Sequence, residues 1–172
     1  DTVILATGGV LNSPLVEGEK SKVVTMPELH KRVKPWLRLF GPRVLGWATH
    51  YWLPIGKTVV VIGAGLHGME LAEFLVKRGR VVTVLEPTER IGEGCIDFRL
   101  GLLMNWLGRK GVTIITEAKN IRATTTGVFY EDNDGFRHAI EAETVMPTAP
   151  LLPNEKLYTA LGGQGPGTPS SR

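Results

Sequence analysis

Residues Lys57 to Glu86 read KTVVVIGAGLHGMELAEFLVKRGRVVTVLE. Val59 to Ile62 is an unbroken β-branched run, as expected of a strand covered on both faces. Gly63, Gly65 and Gly68 follow as GxGxxG. The first glycine permits a tight turn, the second lets another group approach the backbone, and the third lets a helix pack close to the strand. Leu71, Leu75 and Val76 give that helix an apolar face, and Lys77, Arg78 and Arg80 stand near its end, where cations suit the helix dipole. Val81 to Leu85 is a second strand, closed by Glu86.

Strand, glycine turn, helix, strand and terminal acid together form the dinucleotide-binding pattern, with the acid about 20 residues beyond the glycines. A pyrophosphate would lie against the backbone of Gly63, Ala64, Gly65, Leu66, His67 and Gly68, at a helix N-terminus. Glu86 would accept from the adenosine ribose hydroxyls and repel a 2′-phosphate, which favours NAD(H) over NADP(H). Arg90 qualifies that preference, since it could pair with a 2′-phosphate. The other reading of the glycines is a turn used for packing alone. His67 reads as a partly exposed loop side chain or as a ligand contact.

Outward from this unit, the chain has 172 residues and a formal charge of +3. That balance is too mild to imply nucleic acid, and no apolar run approaches the roughly 20 residues of a membrane span. A single cysteine, Cys95, excludes an internal disulfide framework and any cysteine-rich metal site. The composition suits a reducing cytoplasm. Asp132, Asn133 and Asp134 precede Gly135 between alternating runs, which reads as a hairpin turn rather than a metal loop, and no metal site is expected.

Four segments follow. Residues 1–24 carry ATGG (Ala6 to Gly9) after a short buried strand, Val3 to Leu5, with Val23 and Val24 as a further short strand. Residues 25–56 form a helical insert. Thr25 and Glu28 fit a capping box, Pro35 should kink or interrupt the first helix, and a second spans about Arg43 to Trp52. Basic residues accompany Trp36, Trp47 and Trp52, so the insert reads as a cap packing on this or another domain, with self-association through any exposed apolar patch. Residues 57–150 form the nucleotide-binding unit. It continues with a helix near Asp97 to Lys110, a strand at Val112 to Ile115, a β-meander between Lys119 and Ile140, and a last buried strand at Glu143 to Thr148. Residues 151–172 are a return segment, with a short helix near Asn154 to Leu161 and a polar tail. The fold class is therefore α/β: a Rossmann-type three-layer domain with a parallel sheet and β-meander, plus an α-helical insert.

ATGG, the GxGxxG unit, the meander and TVMPTAP (Thr144 to Pro150) come in an order that resembles flavoproteins with two dinucleotide-binding domains. GKTVVVIGAGLHGMELAEFLVKRGRVVTVLE is similar to the carboxy-terminal part of old-yellow-enzyme-like NADH:flavin oxidoreductases of the 2-enoate and 2,4-dienoyl-CoA reductase type, with trimethylamine dehydrogenase as a relative. The resemblance covers about Asp1 to Leu161. It implies a full enzyme with a flavin-binding barrel, an FAD domain and an iron–sulfur cluster. NAD(H) would there reduce FAD, and electrons would pass by the cluster to FMN and an activated alkene. This chain would be the nucleotide-binding fragment, inactive alone, with those flavin and barrel domains as its partners. The resemblance also implies that Glu70 can face the nicotinamide, whereas the residues alone read it as an acid near a helix start. Two departures stand out: Thr148, Ala149 and Pro150 replace an Ala-Thr-Gly-like turn, and the insert is longer than usual. A second functional reading follows from the same kinship, a domain kept for assembly that has lost nicotinamide binding.

Overall fold

The computed structural model describes residues 4–10, 16–39 and 53–161. Its elements in chain order are β1 (Gly9–Val10), β2 (Glu17–Gly18), α1 (Met26–Leu39), β3 (Thr58–Ile62), α2 (Leu66–Val76), β4 (Val81–Leu85), α3 (Asp97–Arg109), β5 (Thr113–Ile115), β6 (Lys119–Ala123), β7 (Gly127–Glu131), β8 (Arg137–Glu141), β9 (Thr144–Pro147), β10 (Leu152–Pro153) and α4 (Lys156–Ala160). The central sheet has the order β5–β4–β3–β9, with every pairing parallel. This is the α/β Rossmann-type arrangement expected from the sequence.

Alternation along β3 explains its all-apolar composition. Val59 and Val61 join a cluster with Leu71 and Leu75 of α2 and Leu103 and Leu107 of α3. Val60 and Ile62 join a second cluster with Ala118, Val128, Tyr130 and Ala142. Helices therefore cover one face and the meander β6–β7–β8 covers the other. Burying one such valine contributes roughly 1.5–3 kcal/mol, an upper figure since unfolded chains already bury some surface. The β7–β8 turn closes through Asp132, whose Oδ1 accepts from the amides of Asp134 (3.0 Å) and Phe136 (2.9 Å). Gly135 takes φ +81 there, a conformation open to glycine.

Three expectations for the flanking segments need correction. Residues 4–5 form no buried strand: Ile4 is 88% exposed, and none of the described strands runs beside it. Pairing begins later, where β1 meets β10 antiparallel and Gly9 faces Pro153. Val23 makes one isolated parallel bridge to Val145, and the Val24 amide donates to Val145 O at 2.8 Å, so the pair forms no strand. Of the kink or interruption expected at Pro35, the interruption does not occur: helix α1 continues past the proline. The proline and Lys31, four residues earlier, are both exposed, so water can reach the carbonyl that loses its partner.

The capping box is as read from sequence. The Thr25 amide donates to Glu28 Oε2 at 2.9 Å, and the Glu28 amide reaches Thr25 Oγ1 at 3.4 Å. The Thr25 amide in particular holds the Glu28 carboxyl below its ordinary range. The second helical stretch, with Trp47 and Trp52, lies outside the described residues, as does the Trp36 side chain. Among the described residues no helix is long and apolar enough to cross a membrane.

Candidate functional site

Sheet register creates the site. Ile62 pairs with Leu85 on one side and with Pro147 on the other. The next residues along the three parallel strands, Gly63, Glu86 and Thr148, therefore emerge side by side at the carboxyl ends. This is where open α/β sheets bind ligands. A cleft of about 520 Å³ opens there. Ile62, Gly63, Gly65, Leu66, His67 and Gly68 line it, with Glu86, Pro87, Glu93 and Gly94 on one side and Thr148 to Leu151 on the other. A volume of this size suits a small ligand or cofactor.

The three glycines divide into two kinds. A Cβ on Gly63 would lie 2.7 Å from Thr148 Oγ1, and Gly63 also takes φ +101. A Cβ on Gly68 would strike the Gly63 carbonyl oxygen at 1.8 Å. Both are demanded by the protein's own packing. Gly65 is different. Its backbone is extended, with φ −69 and ψ −176, and a Cβ there would meet only the Glu93 carbonyl oxygen, at an ordinary 3.5 Å. The fold leaves open the one position where a ligand needs a bare backbone.

Donors surround that opening. Gly65 is the N-cap of α2 and provides no side-chain cap. The amides of His67 and Gly68 lie in the first helical turn, where no acceptor exists within the helix. The loop after β4 folds onto the turn: the Gly92 amide donates to Ala64 O at 2.7 Å, and the Leu66 amide donates to Glu93 O at 2.8 Å. Loop and turn thus hold each other in place. Thr148 Oγ1 donates to Ile62 O (2.9 Å) and reaches Gly63 O (3.1 Å), fixing the opposite wall.

Glu86 is 8% exposed and already engaged. Its Oε2 accepts from the Ala64 amide at 2.6 Å, and its Oε1 accepts from the Thr88 amide at 2.9 Å and hydroxyl at 2.8 Å. The acid is therefore a brace of the glycine turn as well as part of the cleft wall.

Three expected site residues stand outside the lining, the first being Ala64, which is fully buried with its amide spent on Glu86. Glu70 lies in the second turn of α2 and pairs with Arg99 of α3, Nη2 to Oε1 at 3.0 Å, with both side chains about half exposed. It is not among the cleft's lining residues, because the helix turns that position toward α3. Arg90 is exposed on the loop and also outside the lining. Sequence reading missed Thr88, Glu93 and Gly94. A signal for Thr88 exists in Glu86-Pro87-Thr88, since a proline there turns the chain and a threonine two residues on can bond back. Cys95 is half-buried, and burial pushes its thiol up, against easy thiolate formation.

The residues present fit a dinucleotide. Open backbone at Gly65 and first-turn amides suit a pyrophosphate. Among the described residues that line the cleft, Glu86 and Glu93 are the acidic ones and none is Lys or Arg.

The dihydrolipoyl dehydrogenase of Mycoplasma genitalium is 26% identical over 150 residues, 87% of this chain but 32% of that protein. This chain thus spans about a third of that relative's length. An NAD-dependent persulfide reductase from A. fulgidus superposes with a TM-score of 0.57 at 28% identity, over 91% of this chain and 27% of that one. A 2-naphthoyl-CoA reductase in complex with 2-naphthoyl-CoA superposes with a TM-score of 0.70 over 91% of this chain and 21% of that one, and at 22% identity the likeness is one of fold. The family model for pyridine nucleotide-disulphide oxidoreductases matches residues 1–164, so the chain belongs to that family.

Proposed function

We propose that this chain is the NAD(H)-binding part of a multidomain flavin-dependent oxidoreductase. The observation that carries the reading is Gly65, a glycine the fold does not require, set at a helix N-terminus in a cleft at the strand ends. Bound NADH would supply a hydride to FAD held by another part of the enzyme. The residues here do the binding: the first-turn amides of α2 at His67 and Gly68 take the pyrophosphate beside the bare backbone of Gly65, Glu86 meets the ribose, and Thr148 to Leu151 wall the far end. Flavin-binding and barrel domains would be the partners, as in the enzymes that Lys57 to Glu86 resemble. The same resemblance supports an activated alkene as final acceptor, with FMN and an iron–sulfur cluster held elsewhere in the enzyme.

One observation favours a second reading, a domain kept for assembly. Thr148, Ala149 and Pro150 stand where related turns carry a glycine, and the Thr148 side chain is bonded into the strand ends. Calorimetric titration with NADH, with ADP as control, separates the two. Binding of NADH that Gly65→Val abolishes supports the cofactor reading. No binding of either ligand by the parent chain supports the assembly reading.

A further inference from the structure

Resting on the dinucleotide reading, we propose that Thr88 is a selectivity residue of the cleft, because it limits Glu86 to a single ribose hydroxyl. An ionised carboxylate offers about four acceptor positions. Thr88 fills two of those on Oε1, by its amide at 2.9 Å and its hydroxyl at 2.8 Å. The Ala64 amide fills one on Oε2 at 2.6 Å. One position remains, on the oxygen shared with the glycine turn, whereas gripping both hydroxyls of a ribose would need two. Burial makes the limit firm, since Glu86 is 8% exposed and so has little open surface through which further donors can reach it.

The Thr88 hydroxyl is the adjustable member. Its proton has another acceptor in reach, the Arg90 carbonyl oxygen at 3.2 Å, but that contact is the longer one and lacks the carboxylate's charge. The backbone donors at Ala64 and Thr88 have no comparable freedom. Removing the hydroxyl should therefore release one acceptor on Oε1 and leave room for a ribose oxygen, without touching the brace to Ala64.

The test is calorimetric titration of the full chain with NADH and NADPH, in the parent, Thr88→Ala and Thr88→Ser. Thr88→Ala should bind NADH about three- to tenfold more tightly, the range for one added hydrogen bond. NADPH should not gain, because its 2′-phosphate has no hydroxyl proton to donate there. Thr88→Ser, which keeps the hydroxyl, should match the parent. Equal NADH affinity in all three variants would mean that the hydroxyl already yields to the ribose by turning to Arg90, and would overturn the proposal. Weaker binding of both cofactors by Thr88→Ala would overturn it too, by making Thr88 a support of the loop. Parent binding without the gain rejects this inference alone, whereas absence of binding in every variant rejects the cofactor reading with it.

Discussion

The Ala64 amide donates to Glu86 Oε2 at 2.6 Å, a bond that ties the end of β4 to the turn leaving β3. The residues are 22 apart in sequence and buried together. A carboxylate that closes this span pre-organises the glycine turn before any ligand arrives, and its loss has consequences for stability as well as binding.

Glu86→Ala should unfold more easily than the parent. It leaves the Ala64 and Thr88 amides without their acceptor, and a buried unsatisfied donor costs about 1–3 kcal/mol. Denaturant titration should show a lowered midpoint at unchanged slope. A midpoint equal to the parent's would mean that water replaces the carboxylate fully.

Cofactor choice should favour NADH over NADPH. The acidic residues among the described lining of the cleft are Glu86 and Glu93, which a 2′-phosphate meets with like-charge repulsion. Such discrimination is worth on the order of 1–3 kcal/mol, about ten- to a hundredfold in Kd. Glu86→Ala should narrow the gap. Equal affinities in the parent would place the ribose away from Glu86 and give Arg90 the larger role.

Gly65→Val and Gly68→Ala should fail in opposite ways. At Gly65 an added Cβ meets only ordinary contact and the position opens into the cleft, so thermal stability should change little while NADH binding is lost. At Gly68 a methyl would strike the Gly63 carbonyl at 1.8 Å, backbone that cannot give way cheaply. Overpacking of that kind costs about 1–3 kcal/mol, and differential scanning calorimetry should show a Tm several degrees lower. A folded, fully stable Gly68→Ala would contradict the close packing of α2 on β3.

The β7–β8 hairpin should loosen in acid. The His138 ring, bonded to Asp132 Oδ2 at 2.7 Å, is the first cause holding the Asp132 carboxyl below its ordinary value; the Phe136 and Asp134 amides add to it. A depressed carboxyl contributes stability above its unfolded value, and that contribution fades as pH falls through the folded one. The window therefore lies at and below about pH 4. NMR titration should find the Asp132 carboxyl raised in His138→Ala, and no change there would assign the effect to the backbone amides alone.

Much of this protein is local and so legible in one dimension. The β-branched run Val59 to Ile62, the spaced glycines, the apolar faces of α2 and α3, the Thr25–Glu28 capping box and the Asp132–Gly135 turn each declare themselves within a few residues. Period, capping chemistry and turn chemistry are short-range effects. These were enough to determine the α/β unit and to mark Gly63, Gly65, Gly68 and Glu86 as one site.

Tertiary structure decided how that site is wired. Parallel register sets Gly63, Glu86 and Thr148 in one row, although Thr148 lies 85 residues from Gly63 along the chain. Packing of α2 against α3 gives Glu70 to Arg99. The pairing of β1 with β10 places Thr7 Oγ1 2.7 Å from the Asn154 carbonyl, which leaves Ile4 and Leu5 outside any described strand. Solvent access lets α1 continue past Pro35. The common cause is that a side chain's hydrogen-bond partners depend on which strand lies beside it and at what register. Residue order specifies that only through the whole fold, so the acid at the end of β4 was visible in the sequence, and the donors that occupy it were not.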